Sequence, residues 1–327
     1  NASHWMQKEP SYAPLLEIIK TADVTGPWSP AYNIHSALAG LKIDGKEFKK
    51  EFVSAEDGHY GKITRYPIES EEDLDFLLKH ENYKIPQKVD FSSYHQLKKT
   101  IGENGIIYIN LPDYIDFLGE NILETEFSIL SLTALNKMEE LIKRVSKEHE
   151  SFLKYVLENT ADDDYTIIYF YGPEFALPPL VRPEIFDKLY RYDRPLIDLI
   201  HSYNGLVHMH SHGRVRDYIR KFKEAGTDIL NPIEPPPMGD VTADEALRIA
   251  NGQMALESGI ELSDVEMLNK RQIEEKTSAV LQEVKETKIN GFLLRLTAEP
   301  VKNKLDQKTL ENYASFVATG RKFGSCQ

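Results

Sequence analysis

The stretch LVHMHSHGRVRDYIRKFKEAGTDILNPIEPPPMGD, residues 206–240, decides the fold. Its first part, residues 206–212, alternates histidines with other residues in a pattern typical of a β-strand. Residues 214–225 have the composition of a helix that Gly226 ends, and the apolar run at residues 228–233 predicts a second strand. A strand, a helix and a strand in this order predict a βαβ unit with parallel strands.

Three histidines on the first of these strands indicate a functional site. His208, His210 and His212 are two residues apart, so they fall on one face of an extended segment. Parallel strands end at a common rim, where α/β folds carry their chemistry, so we expect His210 and His212 to meet Glu234 there. Imidazole and carboxylate are zinc-type ligands, and three protein ligands leave a fourth position for substrate or water. The alternative is that each histidine is an ordinary hydrogen-bonded residue of the core or surface.

Predicted strands and helices alternate through the rest of the chain. We expect further strands at residues 105–111, 165–171, 253–259 and 291–296, and helices at residues 116–131, 136–157, 184–203, 242–251, 269–288 and 310–319. Repeated alternation with right-handed crossovers favours a TIM (β/α)8-type barrel of the α/β class over an open doubly wound sheet. No repeat or flexible linker divides the chain, so residues 5–327 are predicted to form one domain.

The amino-terminal part is predicted to elaborate the barrel. Residues 5–100 form this part and residues 101–327 the regular βα part. Residues 41–66 are polar and rich in glycine, and Asp44-Gly45 and Asp57-Gly58 are predicted hairpin turns.

Composition limits the classes of partner. The formal charge is −13 and the pI is near 5.3, so a phosphate backbone would be repelled and nucleic acid is not expected. No apolar run approaches membrane-spanning length and no leader segment is visible, so we expect a soluble, cytoplasmic protein. Cys326 is the only cysteine, so a metal ion would have to use histidines and carboxylates.

Several segments together resemble a known superfamily. These are RPEIFDKLYRYDRPLIDLIHSYNG, HMHSHGR, GTDILNPIEPPPMGD, ALESGIE, GFLL and LENY. Over roughly residues 60–325 the chain resembles the uroporphyrinogen decarboxylase superfamily, in its methyltransferase-like and uncharacterised branches. The resemblance implies a TIM barrel with its active site in a cleft at the carboxyl ends of the strands.

Two chemistries are known on this superfamily fold. The decarboxylases act on acidic tetrapyrroles without a metal ion, and the corrinoid-dependent methyltransferases bind zinc through a His-x-Cys-Gly element and a second cysteine near the last strand. Aligned on Gly213, the histidine of that element falls on His210 and its cysteine on His212. The second cysteine position falls near Ala298 or Glu299, so nitrogen and oxygen ligands, with Glu234 or Glu299 as the third, would replace the thiolates.

The resemblance to the methyltransferases implies transfer of a methyl group between a small molecule and a corrinoid (cobalamin), carried by a partner protein. A metal ion at His210, His212 and Glu234 would act as a Lewis acid on the substrate. His208 would contact a ligand from deeper in the strand. The residues predicted to shape or bind the substrate are Tyr171, Glu174, Met238 and Arg214.

Two other functions stay open at the level of sequence. One is metal-free decarboxylation, as in porphyrin biosynthesis, with His210 or His212 as the proton donor to a carbanion. A polycarboxylate substrate would require several basic side chains, and the rim segments offer chiefly Arg182, Arg214 and Arg216. The other is a non-catalytic corrinoid or tetrapyrrole carrier in which a histidine binds the metal ion. A homodimer agrees with the general frequency of twofold assemblies.

Overall fold

The computed structural model describes residues 8–20, 24–30, 34, 38–54, 61–80, 89–102, 105–160, 166–298, 300, 302 and 304–323. The strands are β1 (Val24–Trp28), β2 (Lys42–Ile43), β3 (Lys46–Glu47), β4 (Glu51–Ser54), β5 (Gly61–Arg65), β6 (Gly105–Pro112), β7 (Ile167–Tyr171), β8 (Leu206–His210), β9 (Ile229–Ile233), β10 (Ala255–Ser258) and β11 (Phe292–Leu294).

Thirteen α-helices are found in the described residues, and from β6 onward they alternate with the strands. They are α1 (Ala13–Lys20), α2 (Glu71–Leu78), α3 (Ser92–Ile101), α4 (Tyr114–Asn121), α5 (Glu124–Thr133), α6 (Leu135–Thr160), α7 (Pro183–Tyr190), α8 (Arg194–Ser202), α9 (Ile219–Ala225), α10 (Ala243–Ala250), α11 (Leu262–Met267), α12 (Lys270–Thr287) and α13 (Gln307–Phe323). No helix in the described ranges is both long and apolar enough to cross a membrane.

Seven parallel strands form one sheet, in the order β1-β6-β7-β8-β9-β10-β11. The sheet curls into a half-barrel surrounded by helices, and this confirms the prediction of an α/β fold of the TIM-barrel type. Since consecutive strands are neighbours and parallel, their carboxyl ends lie along one edge of the sheet. That edge carries the predicted site.

The two faces of the sheet have different partners. Val207 and Met209 of β8 are completely buried in the main core cluster, which helices such as α6 and α8 complete. The alternate residues of β8 belong to the other face, where Tyr108, Ile167 and Tyr169 form a small separate cluster. In register, His208 is paired with Tyr169 and with Ile229, and His210 with Asn231. Period-two alternation therefore turns the histidines away from the helices.

Two predicted helices are each divided in the structure. The predicted helix at residues 116–131 is α4 followed by α5, because Ile122 leaves the helical conformation and pairs with Ile68. Backbone hydrogen bonds from Ile68 to Asn121 (2.9 Å) and from Leu123 to Ile68 (2.9 Å) hold this break. The predicted helix at residues 184–203 is α7 followed by α8, with a proline in the first turn of α8.

Other element boundaries also differ from those predicted. The predicted strand at residues 206–212 ends as β8 at His210, so His212 lies in the loop that follows. The helix predicted at residues 214–225 is only α9, Ile219–Ala225, and α11 was not predicted.

The amino-terminal part contains the predicted hairpins. β2 and β3 pair antiparallel around Asp44-Gly45, whose φ angles of 46° and 81° are those of a tight hairpin turn, which confirms this turn. β4 and β5 also pair antiparallel, and the predicted turn Asp57-Gly58 between them lies outside the described residues. The division of residues 5–327 into an elaborated part and a regular part stays a prediction.

Candidate functional site

Three polar residues follow three neighbouring strands at the carboxyl edge of the sheet. Glu174 lies three residues after the end of β7, His212 two residues after β8, and Glu234 directly after β9. The predicted convergence of His212 with Glu234 is observed.

His212 and Glu234 form a hydrogen-bonded pair. Nδ1 of His212 lies 2.8 Å from Oε1 of Glu234, and the backbone N–H of Gly213 donates to Oε2 at 2.6 Å. The Glu234 side chain is 9% exposed and that of His212 40%, so the carboxylate is enclosed while the imidazole remains accessible. Gly239 is needed behind the pair, because a Cβ there would lie 2.1 Å from the carbonyl oxygen of Glu234.

The electrostatics of this pair favour a protonated imidazole. Burial alone would lower the pKa of His212, but the hydrogen bond and the charges of Glu234, Glu174 and Glu261 outweigh it and raise the pKa. Burial acts to raise the pKa of Glu234, but the hydrogen bonds from His212 and Gly213 outweigh it and lower the pKa. Glu234 is therefore ionised at neutral pH, and His212 can hold or release a proton near neutral pH.

His210 is a neutral imidazole with a defined tautomer. Its Nδ1 lies 2.7 Å from Oδ1 of Asn231, which also accepts a hydrogen bond from the hydroxyl of Tyr169 at 2.9 Å. Because an amide oxygen only accepts, Nδ1 of His210 carries the proton and Nε2 has the lone pair. Burial lowers the pKa of His210 to about 3, and the charge of His212 contributes to the decrease. The two rings are perpendicular, with centroids 4.6 Å apart.

A buried ionic network orients Asn231. Its Nδ2 donates to Oε2 of Glu257 at 2.8 Å, and Nη1 of Arg295 donates to the same oxygen at 2.8 Å. Nε2 of His208 lies 3.5 Å from this oxygen. Although burial opposes ionisation, His208 and Arg295 lower the pKa of Glu257 to about 2. Because Nδ2 of Asn231 donates to Glu257, the amide oxygen of Asn231 is the atom that faces His210.

Sequence reasoning missed Asn231, Glu257 and Arg295. The sequence does indicate two of them as candidates. Glu257 lies within a short apolar strand and Arg295 directly after another, and a charged residue at such a position is unusual. Tyr169 was also missed, although its neighbour Tyr171 was selected. The predicted position of His208, deeper in β8, agrees with its place in this network, where it is 3% exposed.

The charges of two further carboxyl groups, Glu174 and Glu261, contribute to the raised pKa of His212. Oε2 of Glu174 and Oε1 of Glu261 are buried without a hydrogen-bond partner in the described part of the chain. Burial raises the pKa of Glu174 to about 8, and the nearby charges of Asp116 and Glu234 add to the increase while that of His212 opposes it. Burial likewise raises the pKa of Glu261, and Glu234 adds to it. Glu261 was not predicted as a site residue.

The other predicted substrate-binding residues lie in different surroundings. The centroids of the Tyr171 and His210 rings are 6.3 Å apart, so Tyr171 is next to the imidazole of His210. Met238 is 62% exposed, and Arg214 is exposed. Both stay predictions, as does Glu299, which lies outside the described residues.

The donor atoms that the structure offers differ from the predicted metal ligands. Both oxygens of Glu234 are engaged, by His212 and by Gly213, so Glu234 is placed as the partner of His212 instead of as a third ligand. Nε2 of His210 and Nε2 of His212 are the nitrogen atoms left for a ligand. Across the described ranges, no group of three or more His, Cys, Asp or Glu residues is arranged to hold a metal ion. The predicted set of His210, His212 and Glu234 does not fit this arrangement.

Comparison with known proteins identifies a shared fold. No family model and no curated protein sequence matches the chain. A methyltransferase from Methanosarcina mazei is similar in structure, with a TM-score of 0.64 and 14% identity over 98% of this chain and 90% of that one. A D-psicose 3-epimerase is more distant (TM-score 0.41, 12% identity, 72% and 93% coverage), as is a 3-keto-D-glucoside 4-epimerase from E. coli (TM-score 0.35, 11%, 71% and 92%). The chain thus has a methyltransferase-like fold of the TIM-barrel type.

Proposed function

We propose that this chain is an enzyme that transfers a methyl group between a heteroatom of a small molecule and a corrinoid bound to a partner protein. The observation that carries the proposal is the pair of His212 and Glu234 at the carboxyl edge of the sheet. The methyltransferase-like fold and the resemblance of the HMHSHGR segment to corrinoid-dependent methyltransferases support it. The corrinoid would supply the electron pair that accepts the methyl group.

The His212 side chain supplies acid and base chemistry to the heteroatom. When a methyl group leaves an oxygen, sulfur or nitrogen atom, that atom gains electron density, and a proton on it lowers the barrier. His212 is accessible, and Glu234 stabilises its protonated form. In the reverse direction the neutral ring takes the proton from the substrate. Glu234 also keeps the proton of Nδ1 in place, so that Nε2 is the atom that exchanges protons with the substrate.

His210 complements His212 as a hydrogen-bond acceptor. Because its Nδ1–H is held by Asn231, its Nε2 accepts a hydrogen bond from a substrate donor and cannot give one. The two imidazoles, 4.6 Å apart between ring centroids, therefore offer one proton donor and one acceptor to the same small molecule.

Metal-free decarboxylation is the second candidate, and one observation favours it. His212 has a raised pKa without any metal ion, so it could protonate a carbanion. The ionised carboxylate of Glu234 beside His212 opposes it, because it would repel a substrate with several carboxylates. We therefore favour methyl transfer.

Methyl transfer can be assayed directly. Purified protein is mixed with cob(I)alamin and a panel of methyl donors that contains an aryl methyl ether, a thioether and a methylated ammonium compound. We expect methylation of the corrin, followed by its absorbance, with at least one donor class. Failure of all three classes, together with carbon dioxide release from a carboxylate substrate, would replace the proposal by decarboxylation.

Zinc stays a prediction from the resemblance, and elemental analysis tests it. About one zinc per chain in the wild type, lost in a His210→Ala, His212→Ala double variant, would support a metal ion on the two free Nε2 atoms. Methyl transfer at full rate by protein that contains no metal would leave acid and base catalysis by His212 as the mechanism.

A further inference from the structure

We propose that Arg295 and Glu257 are positioning residues that decide which ring nitrogen of His210 carries the proton. They act through the side-chain amide of Asn231. The catalytic part of this inference rests on the proposed function, because it assigns the acceptor role of His210 to an ion pair on two other strands.

Four neighbouring strands contribute to one continuous row of side-chain hydrogen bonds. The row starts at His210, the last residue of β8, and passes through Asn231 in β9 and Glu257 in β10 to Arg295, directly after β11. The three successive donor–acceptor distances are 2.7, 2.8 and 2.8 Å. Direct contacts therefore connect the guanidinium to the imidazole without a gap.

A shift in register between β9 and β10 occurs at Glu257. Leu256 pairs with Leu230, and two residues further along β10 Ser258 pairs with Ile233. Two residues of β9 therefore lie opposite Glu257 alone. An irregularity of this kind redirects side chains locally, and here it accompanies the side-chain contact between the two strands.

The ion pair sets the direction of the hydrogen bonds in this row. A carboxylate only accepts hydrogen bonds and a guanidinium only donates them. Oε2 of Glu257 accepts from Arg295 and also from Nδ2 of Asn231. Because the NH2 group of Asn231 is used in this way, its oxygen faces His210, and Nδ1 of His210 has to donate.

Tyr169 is tied to the same choice. Its hydroxyl donates to Oδ1 of Asn231 at 2.9 Å, and this oxygen also accepts from His210. If the amide rotated, its NH2 group would face both donors, so the hydroxyl and the imidazole would both have to become acceptors. Three hydrogen bonds would therefore change together.

The titratable groups that face the ion pair come from three other strands. Nε2 of His208 in β8 is 3.5 Å from Oε2 of Glu257, and within the described ranges it is buried without a hydrogen-bond partner. Tyr108 in β6 and Tyr169 in β7 lie on the same face of the sheet. Arg295, at 2.8 Å, is thus the cation that is hydrogen-bonded to Glu257. Burial opposes ionisation of Glu257, but His208 and Arg295 lower its pKa to about 2, which keeps it an acceptor at neutral pH.

The fixed tautomer keeps one hydrogen-bond acceptor in the site. Nε2 of His210 has a lone pair, whereas Nε2 of the protonated His212 ring donates. If Asn231 were reversed, Nε2 would carry a proton in both rings. A substrate group that donates to His210 would then meet a second donor.

Nitrogen NMR of protein labelled in histidine reports the tautomer without any turnover. In the wild type we expect the proton of His210 on Nδ1 between pH 5 and 8. The double variant Glu257→Leu, Arg295→Leu removes both charges, so no unpaired charge remains buried. It should show at least about one tenth of His210 with the proton on Nε2, because an amide whose NH2 group has no acceptor can face either way.

Arg295→Leu alone should make the tautomer depend on pH. Without the guanidinium, the buried carboxyl group of Glu257 takes up a proton more readily, and a protonated acid can donate to the oxygen of Asn231. The fraction of His210 with its proton on Nε2 should therefore increase as the pH is lowered from 8 to 5. Arg295→Lys keeps a cation at this position and should resemble the wild type at every pH.

The matched control removes an ion pair of the same kind elsewhere. Nη2 of Arg191, directly after α7, donates to Oε1 of Glu139 in α6 at 2.5 Å. Glu139→Leu, Arg191→Leu should leave the tautomer of His210 as in the wild type. Thermal unfolding shows whether each variant is folded, and Arg295→Leu carries the test if the double variant at the site is not. A wild-type tautomer throughout the pH range in Arg295→Leu would overturn the proposal.

The rate of methyl transfer is a second and separate measurement. With a donor that is active in the assay above, the double variant at the site should react about tenfold more slowly than the wild type, and the control double variant within about twofold of it. A changed tautomer without methyl transfer by any of the proteins would refute the proposed function and keep the positioning role. Methyl transfer by all of them with an unchanged tautomer would refute the positioning role and keep the proposed function.

Discussion

His212 and Glu234 act as one unit because the carboxylate engages Nδ1 of the ring and leaves Nε2 to the substrate. His212→Asn should therefore lower the rate of methyl transfer by about 10²- to 10⁴-fold, the usual contribution of a general acid or base. Stopped-flow measurement of a single turnover gives this rate without a contribution from product release.

The chain provides a matched control for that substitution. His201 also pairs with a carboxylate, Nε2 lying 2.9 Å from Oδ2 of Asp228, but this pair stands at the start of β9 and not at its carboxyl end. His201→Asn should leave the rate within about twofold of wild type. Similar losses in both variants would mean that His212 contributes through folding alone.

The tautomer of His210 depends on Asn231. In the wild type we expect Nε2 to be unprotonated, and no titration of the ring above about pH 5, because burial lowers its pKa to about 3. Asn231→Leu removes the acceptor, so both tautomers should become populated. Nitrogen NMR of labelled histidine distinguishes these states, and the signals of His201 should be the same in both proteins. A wild-type signal with the proton on Nε2 would contradict the assignment.

The site residues show what sequence alone can predict. His210, His212 and Glu234 could be selected because each follows or ends a predicted strand, and strand ends converge in parallel sheets. Asn231 and Glu257 could not be assigned roles, because their hydrogen bond joins residues 26 apart and depends on the register between β9 and β10. Glu234 was predicted as a metal ligand, but only the geometry shows that both its oxygens are engaged.

At the level of elements, the start of α4 is joined to the residue before α8 by a buried pair of acids. Asp113 and Asp193 are both fully buried; Oδ1 of Asp193 accepts from the backbone of Tyr114 at 3.0 Å, and Oδ1 of Asp113 accepts from that of Asp116 at 2.6 Å. Burial raises the pKa of Asp193 to about 8, and burial together with the charge of Asp193 raises that of Asp113. Two buried acids whose pKa values are raised in this way hold at least one proton at neutral pH.

This pair should make stability depend on pH. The pKa of Asp193 in the folded protein, about 8, exceeds the value near 3.9 of an unfolded chain, so the folded state binds more protons between these limits. The contribution of Asp193 to the free energy of unfolding is therefore highest below about pH 4 and decreases as pH rises towards 8. Asp193→Asn should reduce this decrease by more than about 1 kcal/mol between pH 5 and 8, measured by denaturant unfolding.

The matched control is Asp217→Asn, which removes a carboxylate at an exposed position. It should leave the dependence on pH as in the wild type. If Asp193→Asn loses stability with pH as steeply as the wild type, the pair does not hold a proton in the folded state.

The elements themselves were predictable to different degrees. The strands from β6 to β11 were predicted within a few residues, because short apolar runs between helical patterns are a local signal. The break between α4 and α5 was not predicted, because it depends on the pairing of Ile122 with Ile68, far away in the sequence. The short helix α11 gives no periodic pattern of its own, since it has only six residues.

At the scale of the whole molecule, the fold follows from βα alternation, whereas the chemistry depends on where charges meet. Formal charge of −13 excludes few enzyme classes. The ionised carboxylate of Glu234, which meets His212 from a different loop, disfavours an anionic substrate. Such a meeting of charges is a property of the assembled sheet edge and is not visible in any one segment.

The most direct test of the central claim is the pH dependence of the single-turnover rate of methyl transfer in wild type and Glu234→Gln. If His212 is the proton donor and Glu234 raises its pKa, the rate is constant at low pH and decreases as the ring loses its proton. Removal of the carboxylate charge should move that decrease to lower pH by about one unit or more, while Glu184→Gln leaves it in place. A decrease at the same pH in all three proteins would contradict the account.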